Sequence, residues 1–460
     1  MTTGSRRSST PGKAGTARSA ALEVMHAVES RDAYANLELP AVLRRAKLSP
    51  SDAAFATELT YGTLRMQGFY DCVIELAAGR SIIDIDVTVR DILRLGAHQA
   101  LTLLTPSHAV VDQSAELARI FASVGAVGFV NAVMRRITER DRAEWLIRVT
   151  ADRAADDILA ITYSHPAWIV RALRNALAHE GAADEIQELL QSDNDPARVT
   201  LVTLSTTKEI AHTESGKYSP RALTLRGGDP HEIDSVARGE VRIQDEGSQL
   251  AALALTRCRP IRSDERWLDM CAGPGGKTAL LAAESAGTGV DILANESSEH
   301  RADLVRSAVG GFPHVRVEVG DGREIGAAHP HYYDRILVDA PCSGLGALRR
   351  RPEARWRRTP HDVATLTGLQ SQLLASAIAA LKPGGVIAYV TCSPHVVETR
   401  AIVNRALSDN PRVLELDARE ALAGVVRQSL DLRGPDLSVQ LWPHRHGTDA
   451  MFIALLTTTE

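Results

Sequence analysis

Between residues 17 and 140 the apolar positions recur with the period of a helix. Leu93, Ala97, Ala100, Leu101 and Leu104 fall at i, i+4, i+7, i+8 and i+11, one face of a single helix, and similar stretches run through 20–28, 53–64, 110–120 and 129–137. The pattern predicts a small helical bundle. Helical periodicity continues from 141 to 192, with a stop at Tyr163-Ser-His-Pro166, where His165 precedes a proline in a turn and reads as structural. Between 198 and 243 the period changes. Residues 199–204 and 222–225 alternate as short strands around Gly227-Gly-Asp-Pro230, which predicts a small α/β module, and 244–249 opens a helix.

From there on, short apolar runs alternate with helical segments. A strand starting at Trp267 meets a loop containing Gly273, Gly275 and Gly276, then a helix from Lys277. A second strand runs from Asp291 to Glu296, a third ends in Gly320-Asp-Gly-Arg323, a fourth ends in Leu337-Val-Asp-Ala-Pro-Cys342, and a fifth spans 386–391 and ends at Cys392. This alternation predicts a doubly wound parallel sheet, whose ligands sit at the carboxyl ends of the strands. Gly273, Glu296, Asp321, Asp339, Cys342 and Cys392 all fall at such ends. The runs 438–442 and 451–456 predict a closing hairpin around Pro443-His-Arg-His-Gly-Thr-Asp449. His444 and His446 lie in that loop without a third ligand nearby, so a structural or substrate-edge role is expected rather than a metal site.

Length and composition narrow the picture. A chain of 460 residues holds about three domains by the usual size prior. Net charge of −5 means that nucleic-acid binding must come from a local patch, and 4% aromatics argue against extensive base-stacking platforms. Five cysteines without a C-x-x-C spacing exclude a disulfide scaffold and a zinc ribbon, and point to reduced thiols in the cytoplasm. No run of about 18 apolar residues is present to span a membrane. The first 16 residues, rich in Ser, Thr, Gly and Arg, predict a disordered tail rather than a signal peptide. One charged run stands out: six arginines surround Trp356 between 349 and 358, and their place just after Cys342 suggests contacts with phosphates and a stacked base.

The glycine loop fits neither phosphate motif. Gly276-Lys277-Thr278 matches the end of a P-loop, but Cys271 stands where its first glycine belongs, and Gly273-Pro274-Gly275 lacks the third glycine of a dinucleotide fingerprint. A carboxylate at the end of the second strand is placed for a ribose diol, which is Glu296, and Asp321 can accept from an adenine amino group. An adenosine without pyrophosphate, and so S-adenosylmethionine, is the expected ligand. Cys72 and Cys258 read as small apolar residues. Cys342 and Cys392 face one crevice, and a thiolate beside a methyl donor suits methylation at carbon 5 of a pyrimidine, which is too weak a nucleophile until a thiolate adds at carbon 6.

These residues resemble the Sun-type RNA cytosine-C5 methyltransferases, and among them the bacterial ribosomal-RNA members with an N-terminal domain like the antitermination factor NusB. The resemblance rests on Leu268-Asp-Met-Cys-Ala-Gly-Pro-Gly-Gly-Lys-Thr278, Asp339-Ala-Pro-Cys-Ser-Gly-Leu-Gly346, Arg351-Pro-Glu353 before Trp356, Thr391-Cys-Ser-Pro394 and Thr448-Asp-Ala-Met-Phe452. The NusB-like part rests on Phe55-Ala-Thr-Glu-Leu-Thr-Tyr-Gly-Thr-Leu-Arg65. Gly273 and Ala450 depart from it, standing where the family usually has alanine and glycine. The resemblance implies a multidomain fold, an all-α NusB-like bundle followed by an α/β Rossmann-like S-adenosylmethionine-dependent methyltransferase domain. Its parts would be a tail at 1–16, an RNA-binding bundle at 17–145, linker helices with a small α/β module at 146–243, and the methyltransferase domain at 244–460. It further implies that Cys392 is the nucleophile and Cys342 the second thiol, which helps release the product. Cys271, Ala272, Gly273, Pro274, Gly275, Gly276, Lys277, Glu296, Asp321 and Asp339 would contact the cofactor, Asp339 also facing the cytosine, with Lys277 orienting the methionine end or lowering a thiol's pKa. The expected partner is RNA, ribosomal RNA of the small subunit, for a cytoplasmic monomer without metal or membrane. Two other readings stay open here: DNA cytosine-C5 methylation, with Cys342 of the Pro-Cys motif as nucleophile, and a non-enzymatic RNA-binding assembly factor on a relic fold.

Overall fold

The computed structural model describes residues 16–205 and 210–459. The predicted tail therefore lies outside the described residues except for Thr16, which caps the first helix in a reciprocal pair of bonds with Ser19. The chain divides into two compact units. One comprises residues up to Val170 together with Arg350–Trp356, and the other holds Arg171–Arg349 and Arg357–Glu460.

The first unit is helical. Helices Ala17–Arg31, Ala35–Ala46, Pro50–Arg65, Gln67–Ala78, Val87–Leu101, Ser107–Phe121 and Val124–Ile137 share one core that includes Leu22, Met25, Leu59, Phe69, Tyr70, Ile92 and Leu93. Ser49 and Asp86 cap the third and fifth of these, accepting from the free backbone N–H groups of the first turn. The helical stripe ends earlier than its periodicity predicts. The helix stops at Leu101, and Leu104 sits at φ 52° and 77% exposed, because the chain must reverse ahead of Pro106. His165 is buried with Nδ1 on the Tyr163 carbonyl at 2.8 Å, the structural role expected of it.

Within the arginine run, Arg355 departs from the phosphate contact expected of it. Arg355 is fully buried and its Nη1 donates to the carbonyls of Arg65 (2.9 Å) and Ser164 (3.2 Å), while buried Glu353 accepts from Ala35 N–H at 3.1 Å. Trp356 packs where a side chain on Gly68 would have to sit, and the Arg351 guanidinium lies 5.0 Å from the Tyr34 ring centroid. Arg355 and Trp356 thus hold the segment to the helices of this unit. The guanidinium geometry that suits phosphates suits backbone carbonyls equally well, and a charge run does not reveal which it meets.

The second unit carries two sheets. β1 (Thr200–Thr203), β2 (Thr213–Ser215), β3 (Ala222–Leu225) and β4 (Val241–Ile243) form an antiparallel sheet in the order β2-β3-β1-β4. The main sheet uses β5 (Arg266–Asp269), β6 (Asp291–Glu296), β7 (Val315–Val319), β8 (Tyr333–Asp339), β9 (Leu381–Thr391), β10 (Val413–Leu416) and β12 (Phe452–Thr458), in the order β10-β12-β9-β8-β5-β6-β7. The five strands from β9 to β7 run parallel, and β12 and β10 add antiparallel at one edge. β11 (Val439–Gln440) pairs with β12, the hairpin expected there, although Pro443–His446 within its loop is helical. The order reverses between β5 and β8, so a ligand crevice opens at their carboxyl ends.

β8 is almost wholly buried because helices cover both faces, and it carries a charge at its centre. Arg335, fully buried, donates to Glu265 at 2.8 Å and to the carbonyls of Leu255 and Thr256 at 2.8 Å each. The helix Pro360–Ala380 is long and apolar enough to cross a membrane by length and composition, although Thr, Gln and Ser residues interrupt it and leave no unbroken apolar run of that length. In this fold its Leu373, Leu374 and Ala377 pack in the core shared with β8 and β9.

Candidate active site

Four adjacent strands bring the predicted residues to one edge. β5 ends in Asp269 and leads into the loop 270–275; Gly275 adopts φ 98° and caps the helix Gly276–Glu284, from whose first turn Lys277 projects. Only glycine takes that backbone readily, and a Cβ there would also fall on Ala308. Lys277 Nζ reaches across to Asp339 Oδ2, at the end of β8, at 2.8 Å. Burial works to lower the Lys277 ammonium, but the Asp339 carboxylate outweighs it and holds the group above its usual value. Asp269, not foreseen from the sequence, is buried behind this pair. Burial pushes its carboxyl up to about 7, with the Asp339 charge adding, despite a 2.7 Å bond from Thr278, and its buried Oδ1 has no hydrogen-bond partner among the described residues.

Glu296, at the end of β6, is buried. Its Oε2 accepts from Gly273 N–H at 3.0 Å and its Oε1 from Ser298 N–H at 3.1 Å. A Cβ at position 273 would fall on Glu296 Oε2, so glycine lets backbone and carboxylate meet. Arg301 closes over the same carboxylate, with Nη1 3.4 Å from Oε2 and Nη2 donating to the Gly273 carbonyl at 2.5 Å. Asp321, beyond β7, is further out. It is gripped by the Arg323 guanidinium, whose hydrogen bonds hold the carboxyl below its usual range.

The two cysteines meet. Cys342 and Cys392, at the ends of β8 and β9, are half-buried with their sulfur atoms 3.4 Å apart. The hydrogen bond from Cys342 pulls the Cys392 thiol below its ordinary value against burial and the Asp339 and Asp449 charges, and Lys277 acts in the same direction. Cys342 is held well above its ordinary value by that same bond, by burial and by the charges of Cys392 and Glu398. Of the two, Cys392 has the surroundings that favour the thiolate. Cys271 is pushed far up by burial, then by Asp269, Asp339 and Glu296, which makes it a poor nucleophile.

Backbone bonds fix these loops. Gly346 N–H donates to the Cys392 carbonyl and Ala450 N–H to the Gly346 carbonyl, both at 2.8 Å, so the Pro-Cys loop, the Thr-Cys loop and the chain before β12 are stitched together. Arg349 belongs to this framework: it is buried, donates to the Gly447 carbonyl at 2.7 Å, and lies 3.7 Å from both Asp245 and Asp449. His446 accepts from Trp442 N–H at 2.9 Å through Nδ1, and His444 bonds Glu185 at 2.8 Å, so both are structural. Asp269, Arg301 and Glu398 were not singled out from the sequence, whereas Arg349 was expected to meet phosphates as part of the arginine run and is instead bound within this framework. Asp269 lies inside the quoted glycine motif and could have been noticed as an acid ending a buried strand; Arg301 and Glu398 carry no local signal.

The description 16S rRNA methyltransferase RsmB/F matches residues 258–457 and NusB family matches residues 15–139. A protein of Mycobacterium tuberculosis, MT1451, named only as a methyltransferase, is 47% identical over 449 residues and covers 96% of both chains. "Probable ribosomal RNA small subunit methyltransferase B" of Bacillus subtilis is 31% identical over 95% of this chain and 97% of its own. Among solved structures, PH0851 superposes with a TM-score of 0.80 at 21% identity over 98% of this chain and 100% of its own. NSun6 from Pyrococcus horikoshii with SFG superposes with a TM-score of 0.52 at 18% identity over 63% of this chain and 98% of its own. These two share the fold. Similarity running along nearly the whole length makes the chain a member of the RsmB/F family of small-subunit rRNA methyltransferases, with a NusB-family domain preceding the α/β domain.

Proposed function

We propose that this protein methylates carbon 5 of a cytosine in small-subunit ribosomal RNA, in the cytoplasm, with Cys392 as the attacking thiolate and S-adenosylmethionine as methyl donor. The observation that carries the reading is the pair of sulfur atoms 3.4 Å apart at the ends of β8 and β9, with the charge favoured on Cys392. That polarity favours Cys392 over Cys342 as nucleophile, and so favours the RNA reading over the DNA-type assignment.

The donor set suits the cofactor. Glu296 is a buried carboxylate for the ribose diol, the loop 271–277 brings backbone close to it, and Asp321 stands at the next strand end. When bound, S-adenosylmethionine supplies an electrophilic methyl group. Cys392 adds to carbon 6 of the cytosine, and the electron pair of the C5–C6 bond makes carbon 5 nucleophilic. Carbon 5 takes the methyl group, its proton passes to a base in the crevice, the double bond re-forms, and the carbon–sulfur bond breaks. Cys342, its sulfur 3.4 Å from that of Cys392, donates a hydrogen bond to the departing sulfur. Lys277, paired with Asp339, supports the negative sulfur in both states.

Cys392→Ala abolishes methylation and any covalent complex on this reading. Cys342→Ala still permits attack and transfer but leaves RNA attached, as a slow-migrating band on a denaturing gel. Adduct retained in Cys392→Ala and lost in Cys342→Ala reverses the roles, and bisulfite sequencing of ribosomal RNA from a strain lacking the protein locates the cytosine.

A further inference from the structure

Behind the two sulfur atoms, the cysteine loops share one buried carboxylate. Glu398 lies in the short turn Val396–Glu398 and is fully buried. Its Oε1 accepts from Ser343 N–H at 2.8 Å and from Gln370 Nε2 at 3.1 Å; its Oε2 accepts from the hydroxyls of Ser343 at 2.5 Å and Ser393 at 2.7 Å. Ser343 follows Cys342 and Ser393 follows Cys392, so one carboxylate grips both cysteines through their next neighbours. The serine hydroxyls also meet each other at 3.0 Å. Glu398 is itself held in place, because its carbonyl accepts from Tyr389 Oη on β9 at 2.8 Å.

These four donors are neutral groups. A buried carboxylate satisfied by neutral donors is a poor stabiliser, since taking it out of water costs several kcal/mol and no cation among these contacts returns that through Coulomb attraction. Its bonds are aimed instead at the two loops whose geometry matters to the reaction. Gln370 adds a second tie, donating to the Pro341 carbonyl at 2.8 Å, one residue before Cys342.

We propose that Glu398 is a positioning residue: it clasps the Cys342 and Cys392 loops through Ser343 and Ser393 and so keeps the two thiols in contact during attack and release. This rests on the reading that Cys392 attacks and Cys342 assists. Without the Glu398 carboxylate the loops would keep the Gly346–Cys392 backbone bond and the Ser343–Ser393 hydroxyl contact; the first secures backbone only, and the second loses the acceptor that both hydroxyls share. The charge of Glu398 also disfavours ionisation of Cys342, leaving negative charge to Cys392.

The test uses the full-length protein in three forms: wild type, Glu398→Ala, and Ser343→Ala with Ser393→Ala, the last retaining the carboxylate in case the first does not fold. Phenylarsine oxide reports the thiol contact without any methyl chemistry, because two S–As bonds form from a close pair of thiols and the arsenic-bound oxygen leaves as water. Wild type is expected to take up one arsenical at Cys342 and Cys392, and the folded variants to bind it at least tenfold more weakly, on the order expected when a fixed geometry is lost. In methylation assays kcat falls by about 10²-fold while the RNA KM stays within about twofold, the split of an interaction needed in the transition state and not for binding. Loss of stability alone would not produce that split in the folded fraction. Arsenical uptake and kcat equal to wild type in the double-serine variant overturn the proposal. If the arsenical contact depends on Glu398 but wild type leaves carbon 5 of every cytosine in small-subunit ribosomal RNA unmethylated, the clasp stands and the cytosine-C5 reading falls.

Discussion

Glu296→Ala offers the sharpest measurement of the proposed cofactor site. The carboxylate is 2% exposed and already accepts from Gly273 and Ser298 N–H, so a ribose diol would meet a group that is pre-aligned and largely desolvated. Hydrogen bonds to a charged group contribute about 1.5–3 kcal/mol, so the variant should bind S-adenosylmethionine about 10- to 150-fold more weakly in calorimetric titration. The substitution also leaves two backbone donors without an acceptor, and the loop could lose affinity for that reason alone. Arg301→Ala separates the causes. The guanidinium closes over the same oxygen at 3.4 Å but is 48% exposed, so its removal uncovers the carboxylate while both backbone bonds remain. Affinity in Arg301→Ala should equal or exceed wild type. Unchanged affinity in a folded Glu296→Ala protein would refute the reasoning, and equal losses in the two variants would attribute the effect to loop support.

Three further outcomes follow from the packing. Arg355→Ala should lower the stability of the helical unit by about 2–4 kcal/mol, since the Arg65 and Ser164 carbonyls lose their donor, while the salt dependence of RNA binding stays as in wild type; denaturant unfolding and a salt titration check the two halves. Gly346→Ala puts a Cβ onto the backbone carbonyls of Ala450 and Cys392, neither of which can give way without moving a cysteine loop, so kcat should drop about 10²-fold; an unchanged kcat would mean the loops tolerate displacement. Burial pushes the Asp91 carboxyl up to about 7, so the folded state keeps a proton that the unfolded chain has lost, and this stabilisation, present below about pH 4, disappears as pH rises through about 7. Asp91→Asn should therefore remove about 2–3 kcal/mol of the fall in stability between pH 5 and 8; the buried histidines, whose lowered values act in the opposite sense, cancel in a comparison with wild type, and identical pH slopes would contradict the assignment.

What could be read without coordinates was the part that depends on near neighbours in sequence. Helical periodicity located the bundle, strand–helix alternation predicted a parallel sheet, and the rule that such sheets bind at their carboxyl ends gathered Gly273, Glu296, Asp339, Cys342 and Cys392 on one edge. The structure holds these residues there. β10 was missed because four residues of mixed burial leave no periodic signal. Leu104 was included in a helix it does not join, because periodicity cannot see a reversal imposed by the next element. The arginine run was read from its charge, yet Arg349 and Arg355 spend that charge on backbone carbonyls and buried acids. The order of the strands, the 3.4 Å between two sulfur atoms fifty residues apart, and the carboxylate of Glu398 behind them were decided only by tertiary structure. Local sequence sets which backbone a segment prefers, whereas whether a charge meets water, a carbonyl or another side chain depends on which distant segments the folded core brings beside it.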